Sequence, residues 1–223
     1  MGKLIVIDGV DASGKETQAK LTAKRLGDMG YNVKVVSFPC YGEPWSYPVR
    51  MYLEGEFGKN AEDVSPYTAS MLFAVDRFAS YMTDWKKNYE SDDIIICDRY
   101  VSSNMIHQAS KIDGEAEKLK FLKWIDDLEF NKNKLPRPDV TLFLDMPTEY
   151  GAKLMAQRKN KIDGSDVHDI HESNYEYLKK SYDNAVFAAD TFGWKRICCV
   201  REGEIRAIDD INDEILTLAE VIK

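Results

Sequence analysis

At 223 residues, 44% hydrophobic and 30% charged, the chain has the length and apolar content of one domain with a full buried core. Its net charge of −8 excludes a sequence-independent nucleic-acid binder, which needs a basic surface, but not a local anion pocket. No apolar run reaches the length of a membrane span, and a strand begins too early to leave room for a signal peptide.

In chain order, Leu4 to Ile7 read as a buried strand that breaks into a loop bounded by Gly9 and Gly14. A helix follows from Lys15 to about Met29 and ends at Gly30. Val33 to Ser37 make a second strand, and residues 38–58 form a stretch bearing Pro and Gly. Tyr67, Met71, Ala74, Val75, Phe78, Met82 and Trp85 recur at helical spacing and predict one long helix. Residues 94–97 form a third strand ending in Asp98-Arg99-Tyr100. Residues 140–144 form a fourth ending in Asp145, and residues 196–200 form a fifth. Ile208, Ile211, Ile215, Leu218 and Ile222 stripe a last helix. Strands that are apolar throughout and alternate with helices predict a parallel sheet buried on both faces. Ligands in such sheets bind at the carboxyl ends of strands. The four cysteines, Cys40, Cys97, Cys198 and Cys199, form no Cys-x-x-Cys pair, which fits a reduced, cytoplasmic chain.

Four groups of residues carry chemistry. Gly9, Val10, Asp11, Ala12, Ser13, Gly14 and Lys15 have the spacing of a loop whose backbone N–H groups wrap a polyphosphate, with Lys15 reaching its distal phosphates. Glu16 stands where that loop calls for Ser or Thr, and Thr17 comes one residue late. Asp98 and Arg99 follow the third strand, where a carboxylate can hold a metal-bound water and a guanidinium can fork onto phosphate. Arg99 opens a predicted helix on which it shares a face with Ser103 and His107, beside Asn104. Phe73, Asp76 and Arg77 lie on a face of the long helix distinct from its apolar stripe. An aromatic ring beside a guanidinium suits a planar base. Residues 158–165 are basic and polar, as in a segment that closes over a polyphosphate. His168 and His171, around Asp169 and before Glu172, lack a zinc-ligand spacing.

These motifs together resemble the thymidylate kinase family, over essentially the whole chain. The resemblance rests on Ile7 to Lys15, Phe38-Pro39-Cys40-Tyr41-Gly42, Leu72 to Arg77, and Asp98 to Asn104. It implies a three-layer P-loop NTPase fold, with a five-stranded parallel sheet and helices on both faces. It implies a single domain over residues 1–223 with a lid at about 157–168, a homodimer, and transfer of the γ-phosphoryl of ATP to dTMP with Mg²⁺. By the resemblance, Lys15, Asp11, Arg99 and Arg158 are the residues that act on the transferring phosphoryl. Residues 9–17 hold ATP, and Arg201 lies near its adenine. Phe38, Pro39, Tyr41, Arg50, Phe73, Arg77, Arg99, Ser103, Asn104, His107 and Gln108 line the dTMP site. Asp11, Asp98 and Glu172 surround the metal. No nucleic acid or membrane is implied.

The chain departs from the family pattern at Glu16, at His107 where relatives carry a tyrosine, and in a lid where Lys159 and Lys161 partly replace arginine. Such a kinase needs no general base, because the attacking phosphate is already ionised. The rival readings are a kinase for another pyrimidine nucleotide or nucleoside, a nucleotide-binding switch, and an inactive binding homologue.

Overall fold

The amino-terminal apolar run becomes β1 (Lys3–Gly9), the central strand of the computed structural model, which describes residues 1–155 and 175–220. It is followed by α1 (Lys15–Asp28), β2 (Val33–Ser37), α2 (Tyr47–Leu53), α3 (Pro66–Ser80) and α4 (Lys86–Glu90). Next come β3 (Ile94–Asp98), α5 (Val101–His107), α6 (Glu115–Asp126), β4 (Val140–Asp145), α7 (Thr148–Met155) and α8 (Tyr175–Phe192). The chain continues through β5 (Lys195–Cys198), β6 (Val200–Arg201), β7 (Glu204–Ile205) and α9 (Ile208–Leu218). Five strands pair in parallel in the order β2-β3-β1-β4-β5, and β6 with β7 makes a separate antiparallel hairpin.

Strand alternation sorts the core into two layers. Ile5 and Ile7 of β1 pack with Ala19 and Leu26 of α1 and Ile211 and Ile215 of α9 on one face. Leu4 and Val6 pack with Val101, Met105, Phe121 and Leu122 on the other. This is the P-loop NTPase arrangement, with helices on both faces of a five-stranded parallel sheet. Edge strand β2 is only partly buried, so not every strand is covered on both sides. The helix α1 stops where its sequence says it should. Gly30, at φ +93°, donates to the Gly27 carbonyl at 2.9 Å, and Tyr31 donates to Leu26 at 3.1 Å.

Three local expectations are corrected. The long helix predicted through Trp85 is α3, then a π-helical turn over Tyr81–Trp85, then α4, and the turn carries the indole into the core. Its apolar stripe also does not face inward. Tyr67, Met71, Val75, Phe78 and Met82 are exposed, Val75 by 56%, while Ala69, Ser70, Ala74, Asp76, Arg77 and Ser80 are buried. Polar bonds made by the inward residues replace apolar packing on that side, as the site geometry below explains. Finally, the fifth strand ends at Cys198, because the Cys199 N–H turns to the Asp145 carbonyl at 3.0 Å and starts the hairpin.

Candidate active site

The carboxyl ends of β1, β3 and β4 lie side by side, with Ile7 paired to Asp98 and Gly9 to Leu144. The loop after β1 turns sharply there. Gly9 has φ +157°, and a Cβ on it would meet the Leu144 carbonyl oxygen and Ser13 Oγ, each at 2.8 Å. Ala12 (φ +56°) and Gly14 (φ +87°) are also left-handed. Lys15 folds back along the loop, donating to the Val10 carbonyl at 2.6 Å and to Ser13 Oγ at 3.4 Å. Burial and the nearby Arg99 push its pKa down to about 7, against the opposing pull of Asp11, Asp98 and Asp8. Glu16 turns away to pair with Lys20 at 2.7 Å on the surface, and Thr17 is exposed. From outside, α7 closes on the loop so tightly that a Cβ on its Gly151 would come 3.2 Å from the Asp11 carbonyl oxygen.

Arg99 joins this loop to α5. It does not open the helix as expected. It precedes it at φ +69°, a conformation unfavourable for a side-chain-bearing residue, with its N–H held by the Ile7 carbonyl at 3.1 Å. Its guanidinium forms an ion pair with Asp11 and donates to Ser103 Oγ at 3.4 Å and His107 Nε2 at 3.1 Å. Burial pulls the Arg99 pKa down, and Asp11, Asp8 and Asp98 more than reverse the effect. A guanidinium can only donate, so His107 Nε2 accepts and the ring is neutral. Burial holds its pKa down to about 4. Tyr177 of α8 stacks on that ring with an interplanar angle of 18° and donates to the His107 carbonyl at 3.1 Å. Asp8, fully buried, accepts from Ser102 Oγ (2.5 Å), Ser103 Oγ (2.8 Å) and the Gly9 N–H (2.8 Å). One carboxylate thus ties the start of α5 to the end of β1.

The inward face of α3 meets α5. Arg77 is ion-paired with Glu129, also fully buried, and donates through Nε to both its oxygens at 3.1 Å. Asn104 donates to the Ser70 carbonyl at 3.2 Å. Asp76 does not face a ligand pocket. It accepts the Cys40 N–H at 3.1 Å and so anchors the stretch after β2, and burial raises its pKa to about 6. In that stretch the Phe38-Pro39 bond is cis, and Phe38 packs into the core against Tyr100 at 5.9 Å. Phe73 meets Tyr52 edge-on at 6.0 Å beside Tyr41. The Arg50 guanidinium lies 5.4 Å from the centre of the Tyr47 ring, and its Nε is buried without a hydrogen-bond partner. The amide oxygen of Gln108 is likewise buried without one. Arg201 sits apart on the exposed β6–β7 hairpin, 3.8 Å from Asp210.

Arg158, Lys159, Lys161, His168, Asp169, His171 and Glu172, the expected lid at 157–168, and Ile222 lie outside the described residues. The sequence reading passed over Asp8, Ser102, Glu129 and Tyr177. Asp8 was detectable as a carboxylate closing an otherwise apolar strand. The other three carry no local signal.

The depressed Lys15 has a testable consequence. A bound polyphosphate favours the charged amine, so binding at pH 8 should take up about one proton, and affinity should fall as pH rises above about 7. Calorimetry with a nucleoside triphosphate in buffers of different ionisation heat measures this uptake. It should vanish in Lys15→Met, and uptake persisting in that variant would assign the proton elsewhere.

The chain is similar to several known proteins. The thymidylate kinase family model matches residues 7–192. A thymidylate kinase of Mycobacterium tuberculosis is 30% identical over 188 residues, covering 83% of this chain and 84% of that one. A probable thymidylate kinase of Pyrococcus horikoshii is 28% identical, covering 98% and 96%. The solved thymidylate kinase of Candida albicans superposes with a TM-score of 0.72 at 24% identity, covering 98% of this chain and 91% of that one. That of Ehrlichia chaffeensis gives 0.66 at 20%, covering 98% and 99%. With the family model spanning most of its length, the chain belongs to the thymidylate kinase family of nucleoside monophosphate kinases.

Proposed function

We propose that the chain carries out its family's reaction, transferring the γ-phosphoryl of ATP to dTMP to give dTDP and ADP, through the residues assembled above. The observation that carries the assignment of roles is the contact of Arg99 with Asp11, which sets a guanidinium against the loop holding Lys15. In this reading, the N–H groups of residues 9–17 and Lys15 hold the triphosphate. Arg99 holds the acceptor phosphate, positioned for in-line attack on the γ-phosphorus. Phe73 stacks on the thymine, Arg77 and Asn104 meet its edge, and Ser103, His107 and Gln108 line the remaining pocket with Tyr41 and Arg50. Arg158 adds charge from the lid side, and Arg201 marks the adenine side.

Magnesium fits this donor set. Asp8, Asp11 and Asp98 crowd close enough to act on the Lys15 charge. Yet no three His, Cys, Asp or Glu side chains among the described residues are grouped to hold a metal by themselves. That suits an ion held mainly by nucleotide phosphates and water, with one or two carboxylates. Asp11 and Asp98 are those carboxylates, and the family resemblance adds Glu172 to them. The ion supplies neutralisation of phosphate charge. Because Glu16 points to solvent, no side chain at that position reaches it.

The exposed stripe on α3 supports a homodimer. Tyr67, Met71, Val75, Phe78 and Met82 make an apolar face on the helix whose other side carries Arg77, so a second copy covering it would brace the acceptor pocket. No helix among the described residues is long and apolar enough to cross a membrane. The four cysteines are free thiols, which fits the cytoplasm.

ADP release with Mg-ATP over a panel of acceptors tests the substrate. Turnover should be fastest with dTMP, and Lys15→Ala should lower it about a hundredfold or more without unfolding the chain. A preference for dCMP, or slow hydrolysis indifferent to dTMP, would overturn the reading. For assembly, Val75→Glu should convert a dimer to a monomer in sedimentation velocity. A monomeric parent chain would refute the dimer.

A further inference from the structure

We infer that Glu129 is a positioning residue that sets which pyrimidine the acceptor pocket accepts, by fixing the hydrogen-bonding polarity of Arg77 and Asn104. The inference rests on the proposed reading that those two side chains face the acceptor base. Glu129 lies on a π-helical turn, Asp127–Lys132, that continues α6. Such turns carry an extra residue and often occur where a side chain is redirected for function. Here the turn sets a carboxylate inside the fold with no exposed surface.

Burying that carboxylate is costly unless every lone pair is used. Both oxygens accept from Arg77 Nε at 3.1 Å, one also accepts from Arg77 Nη2, and the same one lies 3.4 Å from Asn104 Nδ2. Arg77 Nη1 donates to the Tyr100 carbonyl at 3.4 Å. An ionised carboxylate can only accept. It therefore consumes the Nε edge of Arg77 and leaves one hydrogen on each terminal nitrogen to donate. Together with the Ser70 carbonyl, at 3.2 Å, it turns the NH₂ of Asn104 inward. The side-chain oxygen of Asn104 is then the group left for a ligand.

The result is a donor from Arg77 beside an acceptor from Asn104. A 4-oxo pyrimidine presents the complement, an acceptor oxygen at position 4 beside an N–H at position 3. A 4-amino pyrimidine presents a donor beside an acceptor, which is the reverse. Glu129 need not touch the base to reject cytosine, because with the Ser70 carbonyl it disfavours flipping of the amide. It also cancels the Arg77 charge, so the pocket floor favours a neutral base over a second phosphate.

The test compares kcat/KM for dTMP and dCMP, and KM for ATP, in the parent chain, Glu129→Gln, Glu129→Asp and Arg77→Gln. An amide at position 129 can donate as well as accept, which removes one of the two acceptors holding the Asn104 NH₂ inward and leaves the Ser70 carbonyl as the other. In Glu129→Gln the dTMP-over-dCMP preference should fall about tenfold or more, as expected for one misdirected hydrogen bond, while the KM for ATP stays within about twofold. Glu129→Asp, still acceptor-only, should keep the preference while binding dTMP more weakly. It serves as the reading if the Gln variant does not fold. Unchanged preference in Glu129→Gln, or equal losses toward ATP and dTMP, would overturn the inference, as would a lost preference in a folded Glu129→Asp. If Arg77→Gln leaves the KM for dTMP unchanged, the acceptor-face reading itself fails. If Arg77→Gln raises it while Glu129→Gln is silent, only the role of Glu129 fails.

Discussion

The ion pair between Arg99 and Asp11 is the constraint on which the site depends. It joins the turn after β1 to the turn after β3. Its geometry is set by a left-handed residue at Arg99, a conformation that costs energy and persists only when its surroundings fix it. They do so from three sides. The Ile7 carbonyl holds the backbone, Asp8 pins Ser102 and Ser103 on α5, and neutral His107 accepts from the guanidinium under the Tyr177 ring. A partly exposed pair of this kind can exchange partners when a phosphate arrives. In the proposed reading, Asp11 would then turn toward the metal ion while Arg99 keeps its position.

The acceptor side is built on a different principle. Glu129 is wholly buried and Arg77 almost so, and the two hold each other, so the pair serves as a fixed template rather than a charge clamp. This explains why α3 is turned with its polar side inward. Asp76 holds the loop after β2 through the Cys40 N–H, Arg77 holds Glu129, and Ser70 holds Asn104. Asp76 and Arg77 thus have the partners that offset the cost of their burial. The apolar residues are left outside.

Much of the fold was legible because its signals are local. An apolar strand, a glycine-bounded loop and a capped helix need no tertiary information, and β1, α1 and β2 fall close to where the pattern put them. The loop at residues 9–17 and the placement of Arg99 after β3 were legible for the same reason, since both follow directly from a strand end. Orientation was not. Periodicity locates the stripe on α3 but cannot say which side of a helix faces the sheet when inward polar groups find partners. Glu129 was invisible because its meaning depends on Arg77, 52 residues away, and on a π turn that no spacing rule announces.

The central claim is that Asp11 and Arg99 act as one unit between donor and acceptor. A double-mutant cycle on the single-turnover rate of dTMP phosphorylation tests it most directly. If the claim holds, Asp11→Asn and Arg99→Lys each slow the step severely, and the double variant is little slower than the worse single one. If the two losses instead multiply, the residues act independently and the pair is not the link between the two halves of the site.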